Sequence, residues 1–240
     1  MIFVVCNEKG GAGKSSIAQS LVVWLAVDQG KDVLLVDADP QRTSAEWAEE
    51  RQETDLKAIR CVELHGNIAQ DLVDLNERFG CVVVDCGGAD SKAMRSGLAV
   101  ADLAVLPFRP KRRDLKVAPS MADVIETAQA MNSGLKVVSV ITQAPTLPSQ
   151  GYRIENAKNL LRSLGLNPLT HVTRNLNAWD DSEESGLSVL EYQEDSKAGD
   201  DARAIFCEVE ETMDKFEDVE LATIVRSRLD DDEIEVSLDE

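Results

Sequence analysis

An apolar run at residues 2–6 breaks into Cys6-Asn-Glu-Lys-Gly-Gly-Ala-Gly-Lys-Ser-Ser16, and a stretch of helical periodicity begins directly behind it. Gly10, Gly11 and Gly13, with the small Ala12 among them, let backbone N–H groups turn inward around one anion where a strand ends and a helix starts. Such a loop is a phosphate cradle, and it commits the start of the chain to strand, loop and helix in that order. Lys14 would reach the β and γ phosphates of a nucleotide, the Ser15 hydroxyl would ligate Mg²⁺, and Ser16 would hold an α-phosphate oxygen.

Beyond the loop, short apolar runs alternate with amphipathic stretches of helical length, which predicts an α/β fold: one doubly wound, mostly parallel sheet with helices on both faces. The strands are expected at residues 2–6, 32–37, 59–64, 81–85, 103–107, 136–142 and 169–173. The clearest helices are expected at residues 15–29, 42–53, 68–79, 115–131, 153–164 and 198–216. Two strands end in carboxylates, Asp37 with Asp39 in the first and Asp85 in the second, and a parallel sheet presents those ends to its ligand. Asp85 is the natural residue to hold Mg²⁺ through water. Asp37 or Asp39 could instead cap the helix that follows. Gly87 and Gly88, which follow Asp85 after Cys86, would supply a hinge.

The loop departs from the standard G-x-x-x-x-G-K-[ST] pattern, because Glu8 stands where the first glycine belongs, and it carries Lys9 in K-G-G-x-G-K-[ST] instead. In this deviant loop, in Asp37-Ala-Asp-Pro-Gln41, in Ala101-Asp-Leu-Ala-Val-Leu-Pro107 and in Gly186-Leu-Ser-Val-Leu-Glu-Tyr192 before Ser196-Lys-Ala198, the chain resembles the ParA/MinD family of ATPases. The last segment points to the ParA branch. The resemblance implies ATP with Mg²⁺ as cofactor, and a homodimer formed on ATP. In it Lys9 crosses to the partner's phosphates, Asp39 positions the attacking water and Asp37 supports the metal shell. It also implies hydrolysis stimulated by a ParB-like adaptor, and segregation of a cargo over non-specific DNA. Base contacts would fall at residues 142–145.

Composition limits these implications. The net charge is −19, and residues 208–240 hold 14 acids against 3 bases. Residues 1–218 are therefore read as the ATPase domain and residues 219–240 as an acidic tail, with 229–240 a frayed end. An acidic surface works against polyanion binding unless cations gather on one face. Two clusters could do so: Arg109, Lys111, Arg112, Arg113 and Lys116 after a strand, and Arg153, Lys158 and Arg162, with Lys158 and Arg162 at i and i+4 on one helix. The acidic C-terminus opposes a MinD-like membrane organiser, which needs a basic amphipathic helix there. No run reaches the ~20 apolar residues of a membrane span, so the reading is cytoplasmic, without membrane contact. A P-loop synthase acting on a carboxylate is the metabolic alternative. The five cysteines form no C-x-x-C pair, which disfavours an iron-sulfur carrier; they are read as reduced thiols, with no structural metal.

Overall fold

A computed structural model describes residues 1–88, 91–193 and 196–230. The strands are β1 (Ile2–Val5), β2 (Leu34–Ala38), β3 (Arg60–Glu63), β4 (Val82–Cys86), β5 (Leu103–Phe108), β6 (Lys136–Ala144) and β7 (Pro168–Arg174). They form one seven-stranded sheet in the order β3-β2-β4-β1-β5-β6-β7, with every neighbouring pair parallel. β1, β2, β4 and β5 are buried along their whole length. That burial explains why their sequences are apolar apart from Asp37 and Asp85 at the carboxyl ends of β2 and β4.

Helices α1 (Lys14–Val23) and α2 (Thr43–Arg51) join strands that step toward β3, and both pack on one face of the sheet. Helices α3 (Ala69–Phe79), α4 (Lys92–Leu98), α5 (Ala118–Met131) and α6 (Gly151–Ser163) join strands that step toward β7, and they cover the other face. Right-handed crossovers require this exchange of faces when the direction of winding reverses. The reversal brings β1 to the centre, so the loop behind it opens at the carboxyl edge of the sheet, where open α/β folds bind ligands.

The first face is completed by α7 (Ala178–Glu183), α8 (Val189–Tyr192) and α9 (Lys197–Asp230). α8 opens with a capping box between Ser188 and Glu191. α1 continues through Asp28 in a π-helical turn. The helix expected at 198–216 runs on to Asp230, so the boundary at 219 falls within continuous helix, and residues 231–240 lie outside the described residues. Glu208 of α9 accepts from the amides of Thr170 and His171 on edge strand β7. Carboxylate pairing of this kind guards an exposed edge against a stray strand.

All five cysteines are free, with Cys6, Cys81 and Cys86 buried and Cys207 exposed on α9. Burial pushes the Cys6 thiol up to about 12, against a smaller opposing pull from Lys14.

Candidate phosphate-binding site

The loop from Glu8 to Gly13 is held from below and from the side. Asn7 donates to the Pro107 carbonyl and accepts from the Lys9 amide at 2.9 Å, which ties the loop to the end of β5. Thr142 donates to the Ala12 carbonyl at 2.7 Å, and the Gln143 side chain to that of Gly11 at 3.2 Å. Gly11 and Gly13 adopt φ of 70° and 84°, the left-handed region in which a side chain is strained. With carbonyls engaged outside, the loop amides and the first turn of α1 face a cavity of about 710 Å³.

Lys14, Ser15, Ser16, Asp39, Gly87 and Gly88 line that cavity together, as do Gly10, Gly11 and Gly13. Lys14 is buried there, whereas Lys9 is half-buried and absent from the lining of its own chain's cavity. Asp39 is seated above Gly87, where a Cβ would come within 3.3 Å of its carboxylate. A Cβ on Gly88 would lie 3.3 Å from the Gly10 amide nitrogen and 3.5 Å from Lys14 Nζ. The two glycines therefore permit close approach of the β4 end to the loop. Gly88→Ala is expected to weaken ATP binding about tenfold, since a crowded contact of this kind costs about 1–3 kcal/mol; calorimetric titration measures it.

The carboxylates divide the work. Asp85 is fully buried; Ser44 donates to its Oδ2 at 2.8 Å, and the Ser15 hydroxyl also lies against it. Burial raises its carboxyl to about 7, against the steadying hydroxyls. A buried carboxylate with a serine hydroxyl beside it, both hard oxygen donors, is a set that suits Mg²⁺. Asp37 is engaged by the backbone. One of its oxygens accepts from the Asp39 amide at 2.9 Å, and the other from the Ala45 amide at 2.8 Å. It fixes the 38–45 loop and the start of α2, a role in which burial raises its carboxyl and the two amides lower it.

A second cavity of about 110 Å³ adjoins the first and shares Gly13, Ser16, Gln143 and Asp180 with it. Thr142 and Gln143 line it, joined by Thr173, Asn175, Leu176 and Trp179. The last three come from the segment after β7, which carries no motif that singles it out. The Trp179 indole N–H is buried without a hydrogen-bond partner. Trp24 and Trp47 are buried at other places in the core. Nucleotide should therefore change tryptophan emission, and Trp179→Phe should remove most of that change in a fluorescence titration.

The basic clusters are rearranged relative to expectation. Lys111, Arg112, Lys116 and Arg153 share one groove of about 610 Å³ with Pro110, Leu115, Asn156 and Leu160. Arg113 and Arg162 are exposed outside its lining. Arg109 instead pairs with Asp114 at 2.9 Å and approaches Gly11. Lys158 is a correction: it is buried, and its ammonium donates to the Thr170 carbonyl, so it offers no charge to an outside ligand.

A parallel sheet whose central strand delivers a glycine-rich, lysine-bearing loop into a helix defines a P-loop nucleotide-binding protein. The chain belongs to the CobQ/CobB/MinD/ParA nucleotide-binding domain family, whose pattern matches residues 3–238. It is 32% identical over 217 residues to the maintenance of carboxysome distribution protein A of Gloeobacter kilaueensis, covering 89% of this chain and 94% of that one. It is 29% identical to the protein ParA of Rhizobium radiobacter over 153 residues, 63% of this chain and 68% of the relative. Among solved structures, apo McdA from Cyanothece superposes with a TM-score of 0.67 at 14% identity, over 85% of this chain and 98% of that one. The Pyrococcus furiosus cell division ATPase MinD gives 0.66 at 18% identity, over 88% and 98%. Related structures carry ATP in McdA and Mg-ADP in Pyrococcus horikoshii MinD.

Proposed function

We propose that the chain is an ATP-dependent, dimerising ATPase that positions or segregates a cargo (a plasmid, a chromosome or a protein assembly), with hydrolysis accelerated by an adaptor protein. One observation carries the reading: the loop holds two lysines, of which Lys14 lines the phosphate cavity and Lys9 does not. A cation beside the site but outside its lining suits a contact across an interface, to the phosphates of a second copy. In this reading Gly10 to Ser16 cradle the triphosphate and Lys14 neutralises its β and γ oxygens. Asp39, at the cavity wall, orients the attacking water. Ser15 and Asp85 would hold Mg²⁺, which when bound supplies charge neutralisation between the β and γ phosphates. Asp37 positions Asp39 through its amide.

The positioning role draws on the named relatives, which distribute carboxysomes or carry the name ParA. Among the described residues no helix is long and apolar enough to cross a membrane, and we place the protein in the cytoplasm. The matrix in the ATP state is non-specific DNA, held by Lys111, Arg112, Lys116 and Arg153 in the groove with Arg113 beside it. The test is a titration of duplex DNA against Asp39→Ala protein with ATP, with ADP and without nucleotide, over a range of salt. Binding with ATP alone is expected, and replacing Lys111 and Arg112 by Gln should lower the slope of log affinity against log salt by about 2 per protomer. Absence of binding in every state would remove DNA from the account.

A further inference from the structure

Helix α7 brings two carboxylates, Asp180 and Glu183, to the wall of the phosphate cavity one turn apart. The Glu183 carboxylate lies against the hydroxyl of Ser16, the group placed to hold an α-phosphate oxygen. Its Oε1 is buried and lacks a well-formed hydrogen bond. None of the roles assigned above uses either acid.

The backbone behind Glu183 has little room to retreat. Its carbonyl accepts from the Gly186 amide at 3.2 Å, and the Leu187 amide donates to Ser182 at 3.1 Å. Gly186, at φ 65°, lies so close to α2 that a Cβ would sit 2.6 Å from the Arg51 nitrogen. Trp47 of α2 donates to the Leu187 carbonyl at 2.9 Å. α7 is thus pinned at its C-terminal end, so any relief of crowding at Ser16 must come mainly from the Glu183 side chain.

An incoming nucleotide brings a second negative charge to the hydroxyl that Glu183 already occupies. Like charges in contact in a partly desolvated cleft repel far more strongly than in bulk water. Asp180 adds to the repulsion from the same helix, Asp39 from the loop after β2, and Lys14 of α1 opposes it across the cavity. Burial is the main cause that raises the Glu183 carboxyl; the Ser16 hydroxyl pulls it down, and Asp180 adds a smaller upward push.

We propose that Glu183 sets nucleotide affinity: it occupies the Ser16 hydroxyl when the site is free, opposes the α-phosphate when nucleotide enters, and so shortens the lifetime of bound ADP. This rests on the nucleotide reading of the cavity. The carboxylate must swing off Ser16 for the phosphate to seat, and its return displaces product once the γ-phosphate is gone.

The experiment compares Mg-ADP binding and release for the full-length protein, Glu183→Gln and Glu183→Ala, by calorimetry and by stopped-flow displacement of labelled ADP. Both variants are expected to bind ADP at least about tenfold more tightly, with most of the change in the dissociation rate. Glu183→Gln keeps the shape of the side chain and removes only its charge, so it separates repulsion from packing. Affinity unchanged or weakened in Glu183→Gln overturns the proposal. Weakening that is larger for ADP than for 2′-deoxy-ADP also overturns it, by making Glu183 a ribose contact. Failure of the unsubstituted protein to bind ADP would sink the nucleotide reading itself, whereas binding without tightening sinks only the role of Glu183.

Discussion

Asp39→Ala protein is expected to bind ATP and retain it, with turnover lowered by about 10² to 10⁴-fold, the usual range for loss of a group that handles the proton of an attacking water. Three contacts concentrate the effect on chemistry. The Asp39 amide is held by Asp37 at 2.9 Å, its Oδ1 accepts from the Gln41 amide at 3.0 Å, and Gly87 beneath it has no side chain to displace it. The carboxylate is thereby fixed at the wall of the phosphate cavity, apart from Lys14 and the loop amides that supply affinity. Phosphate release measures turnover, and retention of labelled ATP on a desalting column measures trapping. Asp39→Asn preserves the Gln41 contact and should be nearly as slow, because the missing element is basicity.

Arg51→Ala is expected to cost about 3–5 kcal/mol of stability, the usual penalty for stripping one partner from a buried ion pair. That is a large share of the roughly 5–15 kcal/mol by which a domain is stable. Arg51 is fully buried at the end of α2. It donates to both oxygens of Glu191 at 2.7 and 2.8 Å and to the carbonyls of Lys57 and Gly186, with its guanidinium 5.4 Å from the Trp47 ring. Removing it leaves the Glu191 carboxylate largely buried and loosens the junction that pins α7 beside the cavity at the loop. The midpoint of a urea transition reads the loss. Arg51→Met with Glu191→Leu should recover part of it, since no charge is then left without a partner.

The sheet was legible because four of its strands are buried throughout, which makes them short runs rich in Val, Leu and Ile. That Lys14, Ser15 and Asp39 share one cavity could be anticipated, because a glycine-rich loop and a strand-end acid both lie at the carboxyl edge of a parallel sheet. α4, α7 and α8, with 7, 6 and 4 residues, are too short to show a helical period. Without α7, the second cavity and the place of Glu183 beside Ser16 could not be read. Lys158 shows the limit of charge counting: its helix turns that face inward, and its ammonium finds a carbonyl on β7 instead of solvent. The hold that Asp37 keeps on the Asp39 and Ala45 amides depends on how the 38–45 loop folds back over the strand end, which no residue pattern announces. The groove joining Lys111 to Arg153 unites segments some forty residues apart in the chain, a proximity set by the packing of α6 beside the β5 exit.

Sedimentation of the Asp39→Ala protein with ATP, with ADP and without nucleotide tests the central claim of an ATP-gated dimer most directly, with Lys9→Ala added to the same background. The account predicts a dimer with ATP alone, and a monomer in all three conditions once Lys9 is replaced although ATP still binds. A chain that stays monomeric with bound ATP, or a dimer indifferent to Lys9, would contradict it.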